Sequence, residues 1–219
     1  MIKACLFDLD GVIVNTSQYH YLAWKRLAEE LGFDFKPQDN ERLKGVSRIK
    51  SLELLLETGG MKNKFDNEQK QAMAETKNKW YLEYVNSLTP DDVLPGVIPF
   101  LRELRNNRIG IALGSASKNT ALILDRLGIP KLFDCIIDGN QAAKAKPDPE
   151  IFILAAEKLN VPAAGCVVFE DAEAGIEAAV RAGMKSIGIG NPAILHKASA
   201  VINNLEGFTL KKLNALVPL

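Results

Sequence analysis

The chain has 219 residues, enough for one large domain or for a core carrying a smaller insert. Its 27 basic and 27 acidic residues cancel, so no overall field draws nucleic acid or an anionic membrane, and any phosphate recognition must be local. No secretory leader or bilayer-length apolar run is present, which points to the cytoplasm, and Cys5, Cys135 and Cys166 are too scattered for disulfides or zinc and read as small core hydrophobes.

Ile2, Ala4, Cys5, Leu6 and Phe7 form a short apolar run, as expected of a parallel strand covered on both faces, and Asp8, Asp10 and Gly11 come directly after it. While the chain stays extended, acids two apart project to the same side and repel unless a cation or a proton is shared between them. The plainer alternative is that they end a strand and cap the next helix. Thr16 or Ser17 is placed to cap a helix over 19–31 whose Leu22, Ala23, Trp24, Leu27, Ala28 and Leu31 make one face, with His20 in its first turn. A short helix over 39–43 leads to Lys44-Gly45-Val46-Ser47-Arg48, a glycine turn flanked by cations that suits either an anion or solvent.

Helix continues over 52–56, Gly59-Gly60 breaks it, and 66–88 is a long polar helix containing Lys77, Trp80, Tyr81 and Tyr84. This helical stretch without a strand suggests an inserted cap over 15–92, with a core formed by 1–14 and 93–219. The core resumes with a helix over 97–104 and a strand over 109–113 that runs into Gly114-Ser115-Ala116-Ser117-Lys118-Asn119. A helix over 120–127 and a strand over 133–137 precede Lys146-Pro147-Asp148-Pro149, where the prolines fix the origin of the Lys146 ammonium and start a helix running to about 159. A fourth apolar strand over 166–169 ends in Glu170-Asp171; a helix over 172–182, strands over 185–189 and 200–202, and an amphipathic stretch over 210–216 complete the chain. The alternation implies an α/β fold, a Rossmann-like doubly wound parallel sheet with an inserted all-helical cap.

Four strand ends thus supply Asp8 and Asp10, Ser115, Lys146, and Glu170 with Asp171. Carboxylates, one hydroxyl and one ammonium, with no histidine in the core, are wrong for a serine triad or a zinc hydrolase. They suit Mg²⁺ and a phosphoryl group, which a carboxylate can attack to form an acyl phosphate.

The strings DLDGV at Asp8, SASKN at Ser115, KPDPEIF at Lys146 and FEDAEAGI at Glu170 resemble the four motifs of the haloacid dehalogenase superfamily, in order and at the expected spacings. TSQYHYLAW from Thr16, LKGVSR from Leu43 and KNK from Lys77 are similar to the cap of its phosphoglucomutase-like branch. The resemblance implies Asp8 as nucleophile and Asp10 as general acid and base. It implies Mg²⁺ held by Asp8, the backbone carbonyl of Asp10, and Asp171 with Glu170, and a transferring phosphate held by Ser115 and Lys146. Gly45, Val46 and Arg48 would grip the sugar phosphate, Ser117, Lys118 and Asn119 would meet the same distal group from the core, and His20, Lys77 and Thr16 would couple closure to the placement of Asp10. The activity so implied, in a monomer, is interconversion of β-D-glucose 1-phosphate and D-glucose 6-phosphate through an aspartyl-phosphate and β-glucose 1,6-bisphosphate. A sugar-phosphate phosphatase with the same chemistry is the alternative. A non-catalytic binding module would have lost Asp8, Asp10 or Lys146, and none is lost. Asn15 and Gly114 depart from the residues common in such relatives, an acid and an alanine; Asn15 bears on hinge motion.

Overall fold

The computed structural model describes residues 1–218. The first strand, β1 (Ala4–Phe7), is buried throughout because alternate residues enter two different apolar clusters. Cys5 and Phe7 join the cluster on one face of the sheet, and Ala4 and Leu6 join that on the other. Four helices come next without a strand: α1 (Ser17–Glu30), α2 (Pro37–Asn40), α3 (Arg48–Thr58) and α4 (Asn67–Val85). Ser47 caps α3 through Lys50 N–H, and Asp66 with Gln69 forms a reciprocal capping box on α4. The remaining order is α5 (Val97–Asn106), β2 (Gly110–Gly114), α6 (Thr120–Leu127), β3 (Cys135–Ile137), α7 (Glu150–Lys158), β4 (Cys166–Glu170), α8 (Glu173–Arg181), β5 (Lys185–Ile189), β6 (Ala200–Ile202) and α9 (Leu210–Leu216).

All six strands pair in parallel in the order β3-β2-β1-β4-β5-β6. This is the doubly wound order, in which the crevice at the point where strand order reverses lies beside β1. Phe7 is in register with Leu113 of β2 and Phe169 of β4, so Asp8 leaves the sheet level with Gly114 and Glu170. Phe7 stacks on Phe169 at 4.7 Å, and Phe100 packs edge-on against both, which fixes the strand ends that carry the acids.

The helical block has its own core of Trp24, Leu27, Ala28, Phe35, Leu52, Leu55, Leu56 and Ala74. Chain exit and return run side by side, since Val14 bridges to Val93 and Leu94 N–H donates to Ile13 O at 2.9 Å. Among the described residues no helix is long and apolar enough to cross a membrane.

Three local expectations change. Leu22 is 41% exposed and Leu31 is half-buried, because the stripe that packs is the narrower one of Ala23, Trp24, Leu27 and Ala28. Thr16 stands at the N-cap of α1 without capping it, its hydroxyl being engaged elsewhere. Cys135, on a short strand at the sheet edge, is only half-buried, whereas Cys5 and Cys166 are fully enclosed.

Candidate active site

Because all six strands run in parallel, their carboxyl ends share one edge, and the loops that leave them converge there. Lys146, completely buried, donates to Asp8 Oδ1 at 2.5 Å and to Glu170 Oε2 at 2.8 Å. It reaches this position from the long loop between β3 and α7 rather than from a strand end. Asp8, Glu170 and Asp171 each offer a carboxylate oxygen within 4.8 Å of the others, a hard-oxygen set that fits a divalent cation of the Mg²⁺ kind. Asp10 does not join this cluster through its side chain; its carboxylate accepts from the Thr16 hydroxyl.

The charges are held at a cost that shows in the acidities. Burial, then the negative charge of Asp8, pushes Asp10 up to about 6 and Asp171 up to about 7. Glu170 is driven well above the carboxylate range for the same two reasons. Burial alone would lower Lys146, but Asp8 and Glu170 more than offset it and hold its ammonium above the ordinary value. Two glycines make the cluster possible. Gly11 has φ +79°, and a Cβ there would overlap the Asp171 carboxylate; a Cβ on Gly175 in α8 would overlap that of Glu170.

The helical block closes over this edge and leaves a cavity of about 500 Å³ between them. Asp8, Asp10, Lys146 and Asp171 line its sheet side, and His20, Gly45, Val46, Arg48 and Lys77 line its helical side. Ser117, Lys118 and Asn119 face it from the loop after β2, while Thr16, Ser115 and Glu170 lie fully buried behind the wall. Ser115 Oγ accepts from Ser117 N–H and Ser117 Oγ from Asn119 N–H, which winds that loop tightly before α6. At Gly45, φ is +71°, and an added Cβ would press on Ala172 at 3.1 Å, so glycine lets the helical loop sit against the start of α8.

Lys77 is buried on the helical side beneath Trp24 and Tyr81, at 4.5 and 4.8 Å from the ring centroids. Burial, then Arg48, lowers its pKa well below the lysine value, and burial, then Lys77, does the same to His20. The Lys77 amine lies 2.7 Å from His20 Nδ1, and His20 Nε2 lies 3.9 Å from Asp10 Oδ1. With Lys77 donating to Nδ1, the neutral ring carries its proton on Nε2, facing the acid. The half-buried side chain of Arg48 forms no hydrogen bond or ion pair with any described residue, so its guanidinium fork is free for a ligand.

Sequence reasoning missed two contacts between block and sheet and one residue of the cavity wall. Lys44 pairs with Glu41 at 3.0 Å and with Asp171 at 3.7 Å, Asn119 donates to Asn78 at 2.9 Å, and Asn40 lines the cavity. Each depends on how the block docks, which no local pattern encodes; KNK at Lys77 stands out for its lysines, not for Asn78 between them.

Sheet order, inserted helices and the lysine-bridged acids at the carboxyl edge define a doubly wound α/β protein with a helical lid over a carboxylate site. More particularly, the chain belongs to the haloacid dehalogenase-like hydrolase family, whose family model matches residues 2–183. It is 45% identical over 213 residues to the β-phosphoglucomutase of Bacillus subtilis, covering 97% of this chain and 94% of that one. A phosphorylated carbohydrates phosphatase of Thermotoga maritima is 34% identical, with 85% and 84% covered. The crystal structure of a β-phosphoglucomutase from Clostridium difficile superposes with a TM-score of 0.94 at 43% identity, covering 99% of this chain and 97% of that one.

Proposed function

We propose that the protein is a phosphoglucomutase interconverting β-D-glucose 1-phosphate and D-glucose 6-phosphate. The observation that supports the reading is a cavity with cationic groups on two facing walls, Lys146 on the sheet side and Arg48 on the helical side, each suited to a phosphate. Lys146 joins Asp8 to Glu170 on the sheet side, the unpaired Arg48 stands on the helical side, and Ser117, Lys118 and Asn119 line the same cavity from the loop after β2. A mutase that exchanges the ends of a bisphosphate needs two such grips.

In this reading residues 15–92 form the cap and 1–14 with 93–219 the core. A carboxylate oxygen of Asp8 attacks phosphorus, the bond from phosphorus to the sugar oxygen breaks, and Asp10 gives that oxygen its proton. In the reverse direction Asp10 takes the proton of the attacking hydroxyl while the phosphoryl group leaves Asp8. An Asp10 pushed up to about 6 gives and takes its proton within about one unit of neutrality, as a general acid and base must, whereas an ordinary aspartate does so far below it. Ser115 and Lys146 hold the transferring group, and Arg48 with Gly45 and Val46 holds the other phosphate. Thr16, His20 and Lys77 position Asp10 on closure, and the closed cavity excludes water, which favours transfer to sugar over hydrolysis. Asp8, Glu170 and Asp171, with the Asp10 carbonyl, would hold Mg²⁺, which when bound offsets charge on the phosphoryl oxygens.

The test is incubation with β-glucose 1-phosphate and Mg²⁺, with and without β-glucose 1,6-bisphosphate as primer. Glucose 6-phosphate that accumulates faster with primer is the expected product. Free glucose and phosphate as main products would replace the mutase by a phosphatase. Acid quenching during turnover should place the phosphoryl label on Asp8.

A further inference from the structure

Most polar side chains on the helical wall of the cavity are occupied. Ser51 donates to Leu43 O at 3.2 Å and Ser47 O at 3.1 Å, Gln71 binds Glu75 at 2.9 Å, and Lys77 meets His20 at 2.7 Å. Apart from the half-buried Arg48, whose charge suits a phosphate, Asn40 is the unpaired group that is also buried. It is only 6% exposed and lines the cavity, yet neither end of its amide has a hydrogen-bond partner among the described residues, and its Oδ1 is sealed from solvent. Nor does it serve the backbone: it stands at the N-cap of the 3-10 turn Glu41–Leu43, a place where asparagine commonly folds back onto an N–H, and makes no such bond.

A buried, unpaired amide is destabilising, so it persists where a partner arrives from outside. Its chemistry narrows that partner. A primary amide carries no charge, and with Oδ1 sealed it meets a ligand in the cavity through its open Nδ2 end, a neutral donor. A phosphate offers acceptors only and is better met by Arg48 or Lys118, whereas a hydroxyl both donates and accepts. We propose that Asn40 is a specificity-determining residue that hydrogen-bonds a ring hydroxyl of the sugar carried between the two phosphate grips. This rests on the sugar-phosphate reading above and adds to it the residue that recognises the carbohydrate itself.

Asn40→Leu keeps the shape and removes both polar atoms. It should melt at the same temperature as the wild type or higher, because an unpaired buried polar group is gone. By titration calorimetry its Kd for glucose 6-phosphate should rise about tenfold, the loss of one hydrogen bond, while that for inorganic phosphate stays within twofold. Asn40→Ala, which adds no bulk, should show the same split. Unchanged glucose 6-phosphate affinity in both variants overturns the proposal, as does an equal loss for both ligands. Failure of the mutase reading would show instead in the wild type, as free phosphate without glucose 6-phosphate.

Discussion

Arg48 offers the sharpest quantitative prediction. Its guanidinium is half-buried at the cavity wall with no partner among the described residues, so it has no intramolecular bond to give up when a phosphate arrives. Two parallel charge-assisted hydrogen bonds to that phosphate, at roughly 1.5–2 kcal/mol each, total about 3–4 kcal/mol. At about 1.4 kcal/mol per decade, Arg48→Ala should lower kcat/KM for β-glucose 1-phosphate by roughly 10²–10³-fold. Arg48→Lys, which keeps the charge but not the fork, should fall in between. The assay couples glucose 6-phosphate formation to its dehydrogenase, with hydrolysis of para-nitrophenyl phosphate run in parallel. That aryl ester has no distal phosphate, so its turnover should change by no more than about threefold, the loss being confined to binding energy remote from the reacting centre. Equal losses on both substrates would show that Arg48 acts on the chemistry or the fold, and the two-grip reading would fail.

The charge cluster yields further outcomes. Lys146→Met leaves Asp8 and Glu170 buried without their shared cation, a loss of about 3–5 kcal/mol that scanning calorimetry should read as a Tm drop of roughly 10 °C near pH 7.5. The drop should shrink as pH falls and Glu170, whose carboxyl burial holds well above the ordinary range, takes up a proton; a pH-independent drop would place the effect elsewhere. Asp171, raised to about 7, must lose its proton to bind a cation, so Mg²⁺ affinity should be full above pH 7 and fall as pH falls through it, with proton release measurable by calorimetry in buffers of different ionisation enthalpy. The same raised pKa gives the metal-free protein stability that is present below pH 4 and lost as pH rises through 7, so Mg²⁺ should raise Tm more at pH 8 than at pH 6. Equal gains at both would contradict the placement of Asp171 in the cluster. Gly175→Ala should weaken Mg²⁺ binding and mutase turnover by an order of magnitude or more, despite the usual preference of a helix for alanine, because the new methyl displaces the carboxylate that holds Lys146. Wild-type Mg²⁺ affinity in that variant would refute the argument.

The legible parts of the molecule are those in which local pattern and long-range packing agree. β5, β6, α6 and α9 have the bounds their apolar runs imply, and the register of β1 with β2 and β4 brings together Asp8, Ser115 and Glu170, which the sequence could place only at separate strand ends. Lys146 is found by its prolines although it sits deep in a loop. The parts that stay hidden are set by docking. Leu22 lies beyond the narrower stripe of its periodic face that packs, Thr16 turns from capping α1 to hold Asp10, and Lys44 reaches across to Asp171. In each case a residue has two physically sound uses, and the choice depends on a neighbour far away in the chain.

The pairing of Val14 with Val93 has an evolutionary consequence. Because the polypeptide departs and returns at adjoining points, everything between them is attached as a handle is to a cup, and a shorter or different segment can span the same gap without shifting a single strand. Carbohydrate preference carried by residues such as Asn40 can therefore be exchanged as one cassette while the machinery at Asp8 stays fixed.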